Sequence, residues 1–203
     1  MIKLILTSDG LSNKKLIEET KKLLDKPVSE CKTLIVHTLL KKKHLKFVKA
    51  VEKQLLILGI QKKNMARANI TENISVPKED FDIVYSCGGN TFYILDRMKK
   101  TGFDKYLKNF IKRGKLYIGV SAGSIIVNNS IKGVDFGSQG DSNDINLKNF
   151  KALNIVKLFI FPHYENTLSE EIKELKKIVK SPVEVIKDGE AMVVLGKKVK
   201  KIN

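Results

Sequence analysis

A chain of 203 residues, 42% apolar and 30% charged, has the length and balance of one globular domain with a substantial core. No apolar run approaches the roughly 18 residues needed to span a bilayer, and two cysteines, Cys31 and Cys87, are too few for a disulfide framework or a zinc site. The net charge of +16 is almost all lysine spread over nearly every segment, with Arg67, Arg97 and Arg113 the only arginines, so it describes solvated surfaces better than a nucleic-acid-binding arm.

The run 2–7 reads as a first strand, and it meets Thr7-Ser8-Asp9-Gly10 too soon to serve as a secretory leader, so a soluble cytoplasmic protein is expected. Residues 11–24 place Leu16, Ile17, Leu23 and Leu24 among lysines and glutamates, the pattern of an amphipathic helix closed before Pro27. A second strand at 33–38 precedes a helix at 44–59, whose apolar stripe runs through Leu45, Val48, Val51, Leu55 and Leu58 to a stop at Gly59. Residues 81–86 and 116–120 read as buried central strands, each running into a glycine turn. Between them, helical pieces at 91–99 and 103–112, broken at Thr101-Gly102, form the crossover. A short helix after Ser121 is followed by a long loop at 128–149, rich in Asn, Asp, Gly and Ser. The remainder reads as a strand at 155–161, a helix at 168–179 and short strands at 183–186, 191–195 and 199–202. Apolar strands alternating with amphipathic helices predict an α/β fold, a mostly parallel sheet covered on both faces. With no repeat and no linker, a single domain is expected over 1–203.

The strongest chemical signal is Gly119-Val120-Ser121-Ala122-Gly123, where a buried strand meets a helix: the G-x-S-x-G nucleophile elbow. Small flanking residues permit a sharp turn that exposes the Ser121 hydroxyl and aims the Ala122 N–H at a developing oxyanion. Cys87-Gly88-Gly89-Asn90-Thr91 is a second glycine turn after a buried strand, and the Gly89 N–H is a second candidate oxyanion donor. Asn90 or Thr91 is the natural N-cap of the next helix, and Asn90 is also a candidate to touch substrate. Of the three histidines, His44 sits in a lysine run and His37 ends a strand without an adjoining acid, whereas His163 follows an apolar strand and Pro162, which delivers an imidazole to the same edge. The carboxylate that would orient it is Asp188, Glu190 or Asp135, among which spacing does not choose.

These motifs, in the order Cys87-Gly88-Gly89-Asn90-Thr91, 113–123, Phe161-Pro162-His163-Tyr164-Glu165-Asn166 and Asp188-Gly189, resemble the serine-peptidase family containing aspartyl dipeptidase (peptidase E) and cyanophycinase. The resemblance implies a three-layer α/β/α sandwich akin to class I glutamine amidotransferases and flavodoxin. It also implies Ser121 as nucleophile, His163 as general base and acid, Asp188 as triad acid in preference to Asp135, and an oxyanion hole at Gly89 and Ala122. Family members commonly cleave after an aspartate, whose carboxylate needs a charged or well-donating partner. Segment 167–180 has no arginine for that purpose and offers Lys173, Lys176 and Lys177. The expected activity is therefore hydrolysis of small peptides, with no cofactor and no metal; an esterase using Asp135, or a non-catalytic amidotransferase-like binding domain, are the rivals. The expected partner is a small peptide substrate, not nucleic acid or membrane, and a homodimer is left open.

Overall fold

The computed structural model describes residues 1–38, 45–71 and 79–203. Strands β1 (Lys3–Thr7) and β2 (Thr33–His37) are separated by helix α1 (Lys14–Lys22); α2 (Leu45–Leu58) leads to β3 (Met65–Asn69), and β4 (Ile83–Ser86) follows. Helices α3 (Thr91–Thr101) and α4 (Phe103–Lys112) cross over to β5 (Leu116–Val120), which runs into α5 (Ala122–Ile125). The chain finishes with β6 (Phe159–Phe161), α6 (Ser169–Ile178), β7 (Val183–Val185), β8 (Ala191–Leu195) and β9 (Lys198–Ile202).

Among the described residues, seven strands form one sheet in the order β3-β2-β4-β5-β1-β8-β9. β3 through β1 are parallel, and β8 and β9 add an antiparallel edge. Strand periodicity divides the core into two layers. Leu4 and Leu6 face a cluster with Leu95 and Met98 of α3 and Leu107 and Phe110 of α4, whereas Ile5 faces Leu16 of α1 and Val48, Val51 and Leu55 of α2. Opposite placement follows from connection handedness: β1 to β2 and β4 to β5 move in opposite directions across the sheet, so right-handed crossovers put their helices on opposite faces. The predicted α/β fold with helices on both faces is thus observed.

Local chemistry explains the shifted boundaries. α1 begins at Lys14 because Asn13 caps it, its side chain accepting from the Leu16 N–H at 3.0 Å. Gly102, at φ 73°, ends α3 in the left-handed region and opens α4, as the glycine break predicts. β3 was not legible: Met-Ala-Arg-Ala-Asn is an edge strand with one buried residue, Ala68, so it carries no apolar run. The strand expected over 155–161 shortens to Phe159–Phe161 and pairs with β7 in a separate two-stranded parallel sheet. The residues before it are anchored elsewhere: the Leu153, Ile155 and Val156 N–H groups donate to the carbonyls of Ile126 and Val127.

Candidate active site

β1, β4 and β5 are neighbours that end at the same sheet edge, where open α/β sheets bind ligands. Ser121 follows β5 with φ 50° and ψ −114°, a conformation that side-chain-bearing residues rarely adopt. The surroundings enforce it. The Ser121 N–H donates to Thr7 O at 3.0 Å, Ser124 Oγ donates to Thr7 O and Gly119 O, and the buried Tyr117 hydroxyl donates to Gly123 O at 2.7 Å. A Cβ on Gly119 would lie 2.6 Å from Gly123 O, and one on Gly123 would lie 2.7 Å from Ser86 O, so both glycines of the elbow are required by backbone contact. Gly123→Ala is expected to destabilise the fold by about 3 kcal/mol, lowering Tm by roughly 6–12 °C in a thermal melt; an unchanged Tm would mean that the turn can open without cost.

The turn after β4 lies against the elbow. A Cβ on Gly88 would come 3.2 Å from Ser121 Cβ, and Gly89 takes φ +143°, which glycine tolerates best. Neither the Gly89 N–H nor the Ala122 N–H is taken up by another backbone group among the described residues, so both can donate to a ligand oxygen. The adjoining Cys87 thiol is pushed up to about 12, first by burial and then by the charge of Glu52, which leaves it inert.

His163 arrives from β6 through the buried Pro162 and takes φ 55°. Its N–H donates to Ser8 Oγ at 2.8 Å, and the next N–H, of Tyr164, donates to Ile186 O at 3.1 Å. The imidazole Nδ1 lies 2.8 Å from Asp188 Oδ1, and Ser8 Oγ lies 2.5 Å from the same oxygen and 3.1 Å from Nδ1. With Asp188 accepting from Nδ1–H, Nε2 keeps its lone pair for a proton. Burial alone would raise the Asp188 carboxyl, but hydrogen bonds from Ser8 and then His163, with the imidazole charge, hold it below the ordinary aspartate range. The pair sits near the surface, at 44% and 63% side-chain exposure, where solvent screens its charge interaction.

Residue spacing assigns Ser8 no part in the site. It is fully buried at the carboxyl end of β1, one residue beyond Thr7, which pairs with Val120. A serine in a polar turn directly after an apolar strand was the one available signal. The acids separate as follows. Asp135 makes no hydrogen bond to His163 among the described residues, and Glu190 accepts instead from the Lys187 N–H and from Lys201 Nζ. His37 is buried in β2, where burial and then Arg67 hold it below the usual histidine range, and it does not line the cavity beside Ser121. His44 lies outside the described residues. Asn90 borders that cavity, but its side chain is occupied: Oδ1 caps α3 through the Tyr93 N–H, and Nδ2 donates to Ser142 O in the long loop. Lys173 and Lys177 pair with Glu170 and Glu174 of their own helix, and neither they nor Lys176 line the cavity.

The cavity, of about 770 Å³, is lined by Ser121, His163, Ser8, Gly88 and Gly89 among others. The loop at 128–149 supplies Asp144 and Ile145 to its rim and is pinned by the Asn90 contact and by the Thr91 N–H donating to Asp141. Ser121 and His163 share the cavity with no direct hydrogen bond among the described residues; such bonds commonly tighten only around substrate.

A profile of peptidase family S51 matches residues 4–202. The chain is 37% identical, over 75% of its length and 76% of the other's, to the uncharacterized peptidase Lmo0363 of Listeria monocytogenes. It is 36% identical to peptidase E of Escherichia coli over 45% of this chain and 38% of that protein. A crystal structure of a Listeria monocytogenes EGD-e protein assigned to peptidase E superposes with a TM-score of 0.78 at 28% identity, covering 100% of this chain and 98% of that one. The structure of a peptidase from an acI-B1 Actinobacterium, at 16% identity, shares the fold with a TM-score of 0.74 over 100% of this chain and 88% of the other.

Proposed function

The chain belongs to peptidase family S51, a family of serine peptidases, and from that premise we propose that it hydrolyses short peptides through Ser121, His163 and Asp188. The observation that carries this reading is the 2.8 Å contact of His163 Nδ1 with Asp188, made on the cavity that the strained Ser121 also lines.

In this mechanism Ser121 Oγ attacks the scissile carbonyl carbon as its proton passes to His163 Nε2. Asp188 keeps Nδ1 protonated and stabilises the imidazolium that results. The carbonyl oxygen, now carrying the negative charge, accepts from the Gly89 and Ala122 N–H groups. Collapse breaks the C–N bond, and the imidazolium gives its proton to the departing amine. A water, deprotonated by the same imidazole, then releases the acyl group and restores Ser121.

A serine-directed fluorophosphonate should therefore modify Ser121, as located by peptide mass spectrometry, and abolish peptide hydrolysis in step with labelling. A folded protein that resists the reagent and cleaves no peptide would favour the non-catalytic amidotransferase-like alternative.

Ser8 acts in this scheme as a positioning residue, since it touches both His163 and Asp188 without touching the reacting atoms. Ser8→Ala is expected to lower kcat about tenfold, the effect of roughly one lost charge-assisted hydrogen bond. Because the Ser8 hydroxyl helps to depress the Asp188 carboxyl, its loss raises that carboxyl toward the ordinary range. An NMR titration of the Asp188 carboxyl in the variant should show that rise directly. A lower kcat with an unmoved Asp188 titration would assign Ser8 a purely structural part.

A further inference from the structure

Among the described residues, the charge that lines the cavity opposes an acidic substrate. Resting on the peptidase reading above, we propose that the enzyme prefers peptides with a free amino terminus and an apolar first side chain, and disfavours those that begin with aspartate.

Three observations carry this. First, the three arginines, which would hold a substrate carboxylate best, are engaged elsewhere. Arg67 pairs with Glu52 at 2.7 Å, Arg113 pairs with Asp80 at 3.2 Å, and Arg97 Nε donates to Ile70 O at 3.1 Å. None of the three lines the cavity, and no lysine does so among the described residues. Lys46 lies close to its wall, with Nζ 5.3 Å from the centre of the ring of Phe47, a lining residue.

Second, the lining contains two carboxylates, Asp9 and Asp144. Asp9 is fixed where it stands, its Oδ1 accepting from the Gly189 N–H at 2.9 Å and from Ser12 Oγ at 3.0 Å, and Asp144 accepts from Ser142 Oγ. A substrate carboxylate would be desolvated beside like charges, whereas an α-ammonium gains from them. Third, the remaining walls are largely apolar: Phe47, Val51, Tyr93 and Ile145 border the cavity, with Phe47 53% and Ile145 39% exposed. Covering those two side chains with an aliphatic or aromatic substrate group removes apolar surface from water. A site of this volume has room for both groups of a short peptide.

The test is kcat/KM of the full chain on leucyl-, phenylalanyl-, aspartyl- and glutamyl-p-nitroanilide, with N-acetyl-leucyl-p-nitroanilide and fluorophosphonate labelling of Ser121 run alongside. The leucyl or phenylalanyl compound should exceed the aspartyl one at least tenfold, and N-acetylation should cost at least tenfold. Asp144→Asn should narrow the leucyl-to-aspartyl ratio at least threefold. An aspartyl compound cleaved as fast as the leucyl one overturns the inference and leaves the peptidase reading standing, and its loss in Lys46→Ala would identify the cation responsible. Enzyme that is labelled at Ser121 but cleaves none of the compounds overturns the substrate class alone; enzyme neither labelled nor active removes the peptidase reading with it.

Discussion

Ser121→Ala is expected to lower kcat for peptide hydrolysis by roughly ten thousand- to a million-fold, with Tm within about 2 °C of the parent. Alanine keeps the Cβ that the elbow already accommodates, so the backbone has no reason to move while the nucleophile is gone. Ser121→Gly separates catalysis from strain. At φ 50° and ψ −114° a serine is held in a region that glycine enters freely, and the surrounding bonds to Thr7, Gly119 and Gly123 carry that cost. The glycine variant should be equally inactive yet more stable by about 1 kcal/mol, a Tm gain of roughly 2–4 °C. Near-normal turnover in folded Ser121→Ala would end the proposed mechanism. Loss of stability in Ser121→Gly would mean that the serine side chain, and not its neighbours, supports the turn.

Asp188→Asn should cost about a thousand- to ten-thousand-fold in kcat, because an amide neither holds Nδ1 protonated nor stabilises the imidazolium. Asp135→Asn and Glu190→Gln should each stay within about threefold of the parent, since neither acid touches His163 among the described residues. Steady-state kinetics on one peptide suffices, and a larger loss in Asp135→Asn than in Asp188→Asn would restore the esterase-type arrangement. The same pair predicts a pH dependence of stability. The Asp188 carboxyl is depressed in the fold, so its contribution is complete above the unfolded aspartate value of about 4 and disappears as pH falls through the lower folded value. The Tm difference between the parent and Asp188→Asn should therefore shrink toward zero in strong acid.

The core of this protein was legible because it is local. Leu4, Ile5 and Leu6 alternate between the two faces of β1, and Val48, Val51 and Leu55 recur at helical spacing, so their burial follows from periodicity. Gly119 is required within the elbow itself, since a Cβ there would lie 2.6 Å from Gly123 O, whereas Gly123 is required by Ser86 O of β4, 2.7 Å from where its Cβ would sit; the five-residue pattern displays both glycines but only the first demand is local. β3 escaped notice because an edge strand with one buried residue has no apolar pattern to display. The shortened β6 escaped because hydrogen bonds from Leu153, Ile155 and Val156 to Ile126 and Val127, just after α5, compete with extension.

What the sequence by itself determined is the strand-to-helix turn at Ser121, the glycine turn beside it, the histidine after Pro162 and the layered α/β architecture. Each is signalled by neighbours in the chain. Only the tertiary structure decided which carboxylate meets His163, that Ser8 joins them, and that Asp9 and Asp144, with no arginine, border the cavity. Asp188 lies 25 residues from His163 and Ser8 lies 155 residues away, and they meet because β1 ends beside the loop that follows β7. A hydrogen bond demands placement within a few tenths of an ångström, and that placement is set by packing of distant segments and not by residue type or spacing.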